Sequence, residues 1–156
     1  MKKYIILLLV VIAIFNLASC DEDKSVDPTI MPEVTTEGKQ TFGCLIDGWV
    51  YVGGRYYSIF SPKRDSFQFC YNLEEDWIEV SVLVSREEYL SFIILNPREG
   101  ETVNYINTAF GIVPYPDGQV HISRFDRELR IISGTFGDGE RITHGRFDMV
   151  YNLDNE

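Results

Sequence analysis

The sequence predicts an all-β protein, a single antiparallel β-sandwich or barrel-like domain of about 8 to 10 strands over residues 39–156. Three observations carry that expectation. Apolar residues recur mostly at every second position, the period of a strand with one buried face. β-Branched and aromatic residues are abundant in these runs, as suits a pleated surface. Asp47-Gly48, Asp117-Gly118 and Asp138-Gly139 punctuate them, and Asp-Gly accepts the positive φ angles of a tight hairpin turn.

Taken in order, the candidate strands are 41–46, 49–52, 56–60, 66–71, 77–84, 91–95, 102–107, 119–125, 129–136 and 141–151. The three Asp-Gly pairs predict three hairpins. Gly53-Gly54, Ser61-Pro62 and Asn96-Pro97 mark further breaks, and Pro114-Tyr115-Pro116 reads as loop. Ser85-Arg86-Glu87-Glu88 spells a capping box and is the one helical suggestion, a single turn before Tyr89. Ser133-Gly134-Thr135-Phe136 and His144-Gly145-Arg146-Phe147 each put a glycine two residues before a phenylalanine. As two strands of one hairpin they would let each ring pack across the other strand's glycine.

The first 38 residues follow other rules. Lys2 and Lys3 precede an apolar run from Tyr4 to Phe15, then Leu17-Ala18-Ser19-Cys20, the layout of a signal peptide over residues 1–19. As a helix the run would span only about 18 Å, short of a ~30 Å hydrocarbon layer. Leu17-Ala18-Ser19-Cys20 resembles the lipobox of bacterial lipoproteins, which implies cleavage before Cys20 and lipid, palmitate among it, on that residue. The alternative is an ordinary secreted protein cut near Ser19. Two or more acyl chains make a stable anchor, so the expected partner of Cys20 is the membrane, and the expected location is the cell envelope, at the outer membrane. Residues 20–38 mix acids, prolines and hydroxyls without an apolar period and read as a disordered acidic tether. Its acids resemble the surface-export signals of lipoproteins from Bacteroides and its relatives; the plainer reading is a solvated spacer.

The formal net charge is −10, and loss of residues 1–19 removes two lysines and no acids, giving −12. Nucleic acid is thereby a poor partner, because phosphate binding needs clustered Lys and Arg. Besides Cys20 the cysteines are Cys44 and Cys70. Cys44 shares an apolar face with Phe42 and Ile46, whereas Cys70 falls with Ser66 and Gln68, which argues against a bridge between them.

No catalytic set is visible, so no enzyme is expected, and no cofactor or metal site either. His121 and His144 are the only histidines and lie in no nucleophile, zinc or haem motif. His144 and Asp148 would share a strand face, yet another ligand would have to come from elsewhere. Two carboxylates could serve glycoside hydrolysis, but Asp47, Asp117 and Asp138 are accounted for by turns. Arg124, Arg127 and Arg130 fit a solvated hairpin with Asp126 and Glu128 as partners. The sharpest hint is aromatic: Trp49, Tyr51, Tyr56 and Tyr57 crowd two strands. If Val50 and Val52 face the core, Trp49 and Tyr51 point outward, where such rings stack on sugars or anchor a protein. The structural alternative is that they cover the sheet.

Thr41-Phe42-Gly43-Cys44-Leu45, Ile122-Ser123-Arg124-Phe125-Asp126, Arg130-Ile131-Ile132-Ser133-Gly134-Thr135-Phe136 and Gly145-Arg146-Phe147-Asp148 together resemble a group of uncharacterised lipoproteins from Bacteroides-like bacteria. The resemblance implies an envelope β-domain and supplies no functional residues. The expected role is a non-enzymatic, lipid-anchored domain that binds a glycan or an envelope protein; the alternative is a structural or assembly subunit of an envelope complex.

Overall fold

The computed structural model describes residues 30–55 and 66–154. Cys20, the signal peptide, Tyr56, Tyr57 and the candidate strand 56–60 lie outside the described residues. Within them are β1 (Thr41–Ile46), β2 (Trp49–Val52), β3 (Phe67–Asn72), β4 (Trp77–Leu83), β5 (Tyr89–Leu95), β6 (Thr102–Phe110), β7 (Val113–Pro114), β8 (Gly118–Asp126), β9 (Ile131–Gly137), β10 (Ile142–Val150) and β11 (Asn152–Leu153). The fold is all-β. The strands form one sheet in the order β11-β3-β4-β5-β6-β8-β9-β10-β1-β2, with β7 on β6. The expectation of a purely antiparallel domain is corrected, because β11 runs parallel to β3 and the sheet is mixed.

The sheet curls into a half-barrel. A single residue, Tyr151, separates β10 from β11, yet β3, β4, β5, β6, β8 and β9 lie between them in the hydrogen-bonded order. One residue reaches only about 3.5 Å, so β11 at one margin must start beside the end of β10, seven places along the sheet. Side chains report the same curl. The rings of Phe42 on β1 and Phe69 on β3 are 6.5 Å apart, whereas seven strand spacings of a flat sheet would hold them roughly 34 Å apart. Where the margins meet, a Cβ on Gly53 would lie 2.6 Å from Val82 and 2.7 Å from Phe67, so only glycine fits after β2. The enclosed core is aromatic: Phe92, Tyr105, Phe136 and Phe147 fill it from four strands.

Gly145 pairs with Phe136 and Gly134 with Phe147, the crossed arrangement that the repeated spacing predicts. A Cβ on Gly145 would meet the Phe136 ring at 2.6 Å. Irregularities then set the curvature, since an extra residue in one strand bends the pair. Ile142 and Phe147 are both buried although five positions apart, which strict alternation forbids. The pairing of β10 with β1 slips there by one residue, and His144 takes a left-handed φ of 54°. Asn107, at φ 56°, marks a second slip, between β5 and β6.

Two turns differ from expectation. Asp47-Gly48 is a hairpin turn, with φ of 50° and 81°, and Asp138 closes the β9–β10 loop by accepting from the amides of Glu140, Arg141 and Ile142. Asp117-Gly118 is no hairpin: Gly118 already pairs with Tyr105, and the Asp117 carboxylate accepts from the amide and hydroxyl of Thr108. The reversal falls at Gly111-Ile112, where Phe110 pairs with Val113. Ser85-Arg86-Glu87-Glu88 makes one bond of a capping box, Ser85 Oγ accepting from the Glu88 amide at 3.1 Å, but the Ser85 amide donates to the Glu88 carbonyl and the segment closes a β4–β5 turn instead of a helix.

From Met31 to Lys39 the chain is a strap laid on the outer face of the sheet, which differs from the loose coil expected there. A Cβ on Gly43 would lie 2.6 Å from Pro32 and 3.3 Å from the Met31 sulfur, so the strap sits where a side chain of β1 would be. It has no apolar period because its hold is polar. Asp148 on β10, fully buried, accepts from Thr35 Oγ1 at 2.6 Å and from the amides of Glu37, Gly38 and Lys39 at 2.9, 2.7 and 3.2 Å.

Candidate functional site

Trp49 and Tyr51 sit opposite Ile46 and Cys44 across the β1–β2 ladder. Directly opposed residues share a face, and Cys44 and Ile46 are core. The outward orientation expected for Trp49 and Tyr51 is therefore corrected: both lie on the inner face, and Val50, opposite Leu45, lies on the outer one. The misreading came from Val52, which is buried opposite Gly43, on the face that the strap covers. Tyr51 packs edge-on against Phe110 at 5.2 Å, and Phe110 against Tyr115 at 6.1 Å. Trp49, nearer the turn, projects past the sheet and is 75% exposed.

Three connections converge on this end of the half-barrel. Asp47 in the β1–β2 turn accepts from Arg141 Nε and Nη2 at 2.9 and 2.8 Å and from the Tyr115 hydroxyl at 2.8 Å. The Arg141 guanidinium stacks 3.8 Å from the Tyr115 ring centroid. Bonds from Arg141 and Tyr115 draw the Asp47 carboxyl down to about 2. The polar groups of the latch are thus spent on one another. Four large apolar side chains, Trp49, Tyr89, Ile112 and Val113, are exposed at this end among exposed charges such as Glu87, Glu88 and Glu140, and the Gly111 amide bonded to the Tyr89 carbonyl joins two of these turns.

The histidines lie elsewhere, on the outer face. Thr102 pairs with His121, His121 with Thr135, Thr135 with Arg146, and Arg146 with Gly43, a single row across five strands. His144, turned aside by its bulge, lines the same groove. His144 and Asp148 do not form the pair considered from their spacing. The bulge removes His144 from alternation, and Asp148 is committed to the strap and to Ser133 Oγ at 2.6 Å. Burial opposes the charge on Asp148, but the bonds from Ser133, Thr35, Gly38 and Lys39 outweigh it and hold the carboxyl at about 2. Sequence reasoning missed this clamp; its only signal is an acid within the apolar β10.

Cys44 and Cys70 are free, and burial pushes the Cys44 thiol up to about 12. Arg124 pairs with Asp126 at 2.7 Å, as the hairpin reading expects, while Arg127 turns to the Tyr71 hydroxyl at 3.1 Å. Among the described residues no group of three His, Cys, Asp or Glu side chains is placed to hold a metal. Compared with known proteins, the chain matches no family model, no curated protein and no solved structure. Function then has to be read from the geometry of the chain's own residues.

Proposed function

We propose that this is a lipid-anchored domain of the bacterial cell envelope that binds a glycan or an envelope protein without catalysing a reaction, and that the turn end carrying Trp49 is its contact surface. One observation carries the reading: Trp49, Tyr89, Ile112 and Val113 are exposed on the turns of one end, beside a latch in which Asp47, Arg141 and Tyr115 satisfy one another. Exposed apolar side chains gathered at one place, and tryptophan above all, are typical of binding surfaces. The reading takes the curled sheet as barrel-like and Cys20 as the lipid-bearing residue, as in the lipoproteins whose lipobox it resembles.

The test is a double variant, Trp49→Ala with Ile112→Ser, compared with the natural protein on a glycan array and by crosslinking in cells. Loss of the array signal or of a discrete crosslinked band, with an unchanged circular dichroism spectrum, is the expected result. Equal binding by variant and natural protein would overturn it. The anchor is tested by Cys20→Ala, which should abolish incorporation of radiolabelled fatty acid; continued labelling would reject it.

A further inference from the structure

The outer groove has a volume of about 490 Å³, within the ~300–1,000 Å³ range of small-molecule sites. Its floor is the cross-strand row of Thr102, His121, Thr135 and Arg146, with Gln119 beside it, His144 at one margin and Val34 of the strap as a wall. Four strands at ~4.8 Å spacing put Thr102 and Arg146 roughly 14 Å apart, the breadth of one or two sugar rings.

The polar inventory of this groove departs from the rest of the molecule. In a chain of net charge −10, not one of the residues that line it is an acid. Arg146 Nη1 donates to the Pro32 carbonyl at 3.0 Å, and among the described residues no carboxylate pairs with the guanidinium, so Nε and Nη2 remain to be used. Among the described residues the His121 imidazole bonds only Thr102 Oγ1, at 3.3 Å, and the His144 imidazole has no hydrogen-bond partner.

We infer that the groove between the strap and β6, β8, β9 and β10 is a binding site for a small polar ligand carrying an oxyanion, a carboxylate or a phosphate, with Arg146 as its charged anchor. The free fork of the guanidinium matches two oxygens of either group. The imidazoles of His121 and His144, the hydroxyls of Thr102 and Thr135 and the Gln119 amide bond the remainder of the ligand. The site is separate from the Trp49 end.

Because the chain has two histidines, its NMR spectrum holds two sets of imidazole ring signals, and both report on this groove. The experiment titrates the folded domain at neutral pH with inorganic phosphate, with glucuronate and with uncharged glucose. Saturable movement of both rings with at least one anion, and none with glucose, is expected; which anion acts identifies the oxyanion. Arg146→Gln should weaken the response roughly tenfold, the loss typical of a hydrogen bond to a charged group. Since Arg146 also touches the strap, His121→Ala is the second variant, read at the remaining ring of His144, and it too should weaken binding. Rings that ignore both anions, an equal response to glucose, or an unchanged response in Arg146→Gln and His121→Ala would each overturn the inference.

Discussion

Asp148 under the strap and Asp47 at the turn end have been pulled to the same acidity, about 2, by opposite constructions. Asp148 is buried and gathers a hydroxyl from β9, another from the strap and three strap amides. Asp47 is half-exposed and shares its charge with Arg141 and Tyr115 in water. The contrast teaches that acidity alone does not measure structural worth. A buried carboxylate that satisfies donors with no alternative acceptor is costly to lose, whereas a surface ion pair exchanges its partner for solvent at little net cost. The two carboxylates also serve different ends of the molecule. Asp148 holds the strap to the sheet, and Asp47 ties Arg141 and Tyr115 together at the end where Trp49 is exposed.

The largest test of this contrast is Asp148→Ala. It leaves the Ser133 hydroxyl and the amides of Glu37, Gly38 and Lys39 without their acceptor, while the Arg124 and Arg146 bonds to the strap carbonyls remain. A loss of about 3 kcal/mol in urea unfolding is expected, together with new proteolytic cuts between residues 31 and 39. Next in size is the response to acid. A carboxyl at about 2 in the folded chain and near 3.9 when unfolded contributes stability above pH ~4 that fades as pH falls through 2. That contribution is roughly 2–3 kcal/mol. Asp148→Asn should flatten the stability profile in this window, and a profile as steep as that of the natural chain would assign the acid response to other groups.

How much of this was legible in the sequence depends on how far each feature reaches along the chain. Alternation located β1 and β2 with their bounds and placed the other long strands within a few residues, because the period of a strand is local. The crossed Gly134–Phe147 and Gly145–Phe136 contacts were legible for the same reason. The turn at Gly111-Ile112 was hidden because Asp117-Gly118 offered a stronger local spelling, whose aspartate was in fact engaged by Thr108. Face assignment failed at Trp49 and Tyr51 because Val52 is buried by the strap from outside, so burial did not imply the inner face. The Thr135–Arg146 and Ser133–Asp148 pairs follow from that same β9–β10 register, but the arrival of the strap on Asp148 from more than a hundred residues away and the bulge at His144 have no local spelling.

Smaller still is the effect expected at Asp47. Asp47→Asn should leave the unfolding midpoint within the scatter of replicates at physiological salt, since the pair with Arg141 is solvent-exposed and screened. A clear destabilisation would show the latch to be structural and would erase the contrast with Asp148.

The smallest change in stability belongs to Trp49→Ala, and it bears most on the difference between the two regions. A tryptophan 75% exposed loses little burial on truncation, so the unfolding free energy should move by no more than about 0.5 kcal/mol. A ring that packed against Tyr51 and Phe110 would instead cost several kcal/mol, as truncation of a buried aromatic does (~3–5 kcal/mol). Urea unfolding of the single variant decides between them. A small shift leaves the ring available to a partner, because its surface is then not spent on the fold; a large one would make the turn end a lid on the aromatic core, with Trp49 as its outermost layer.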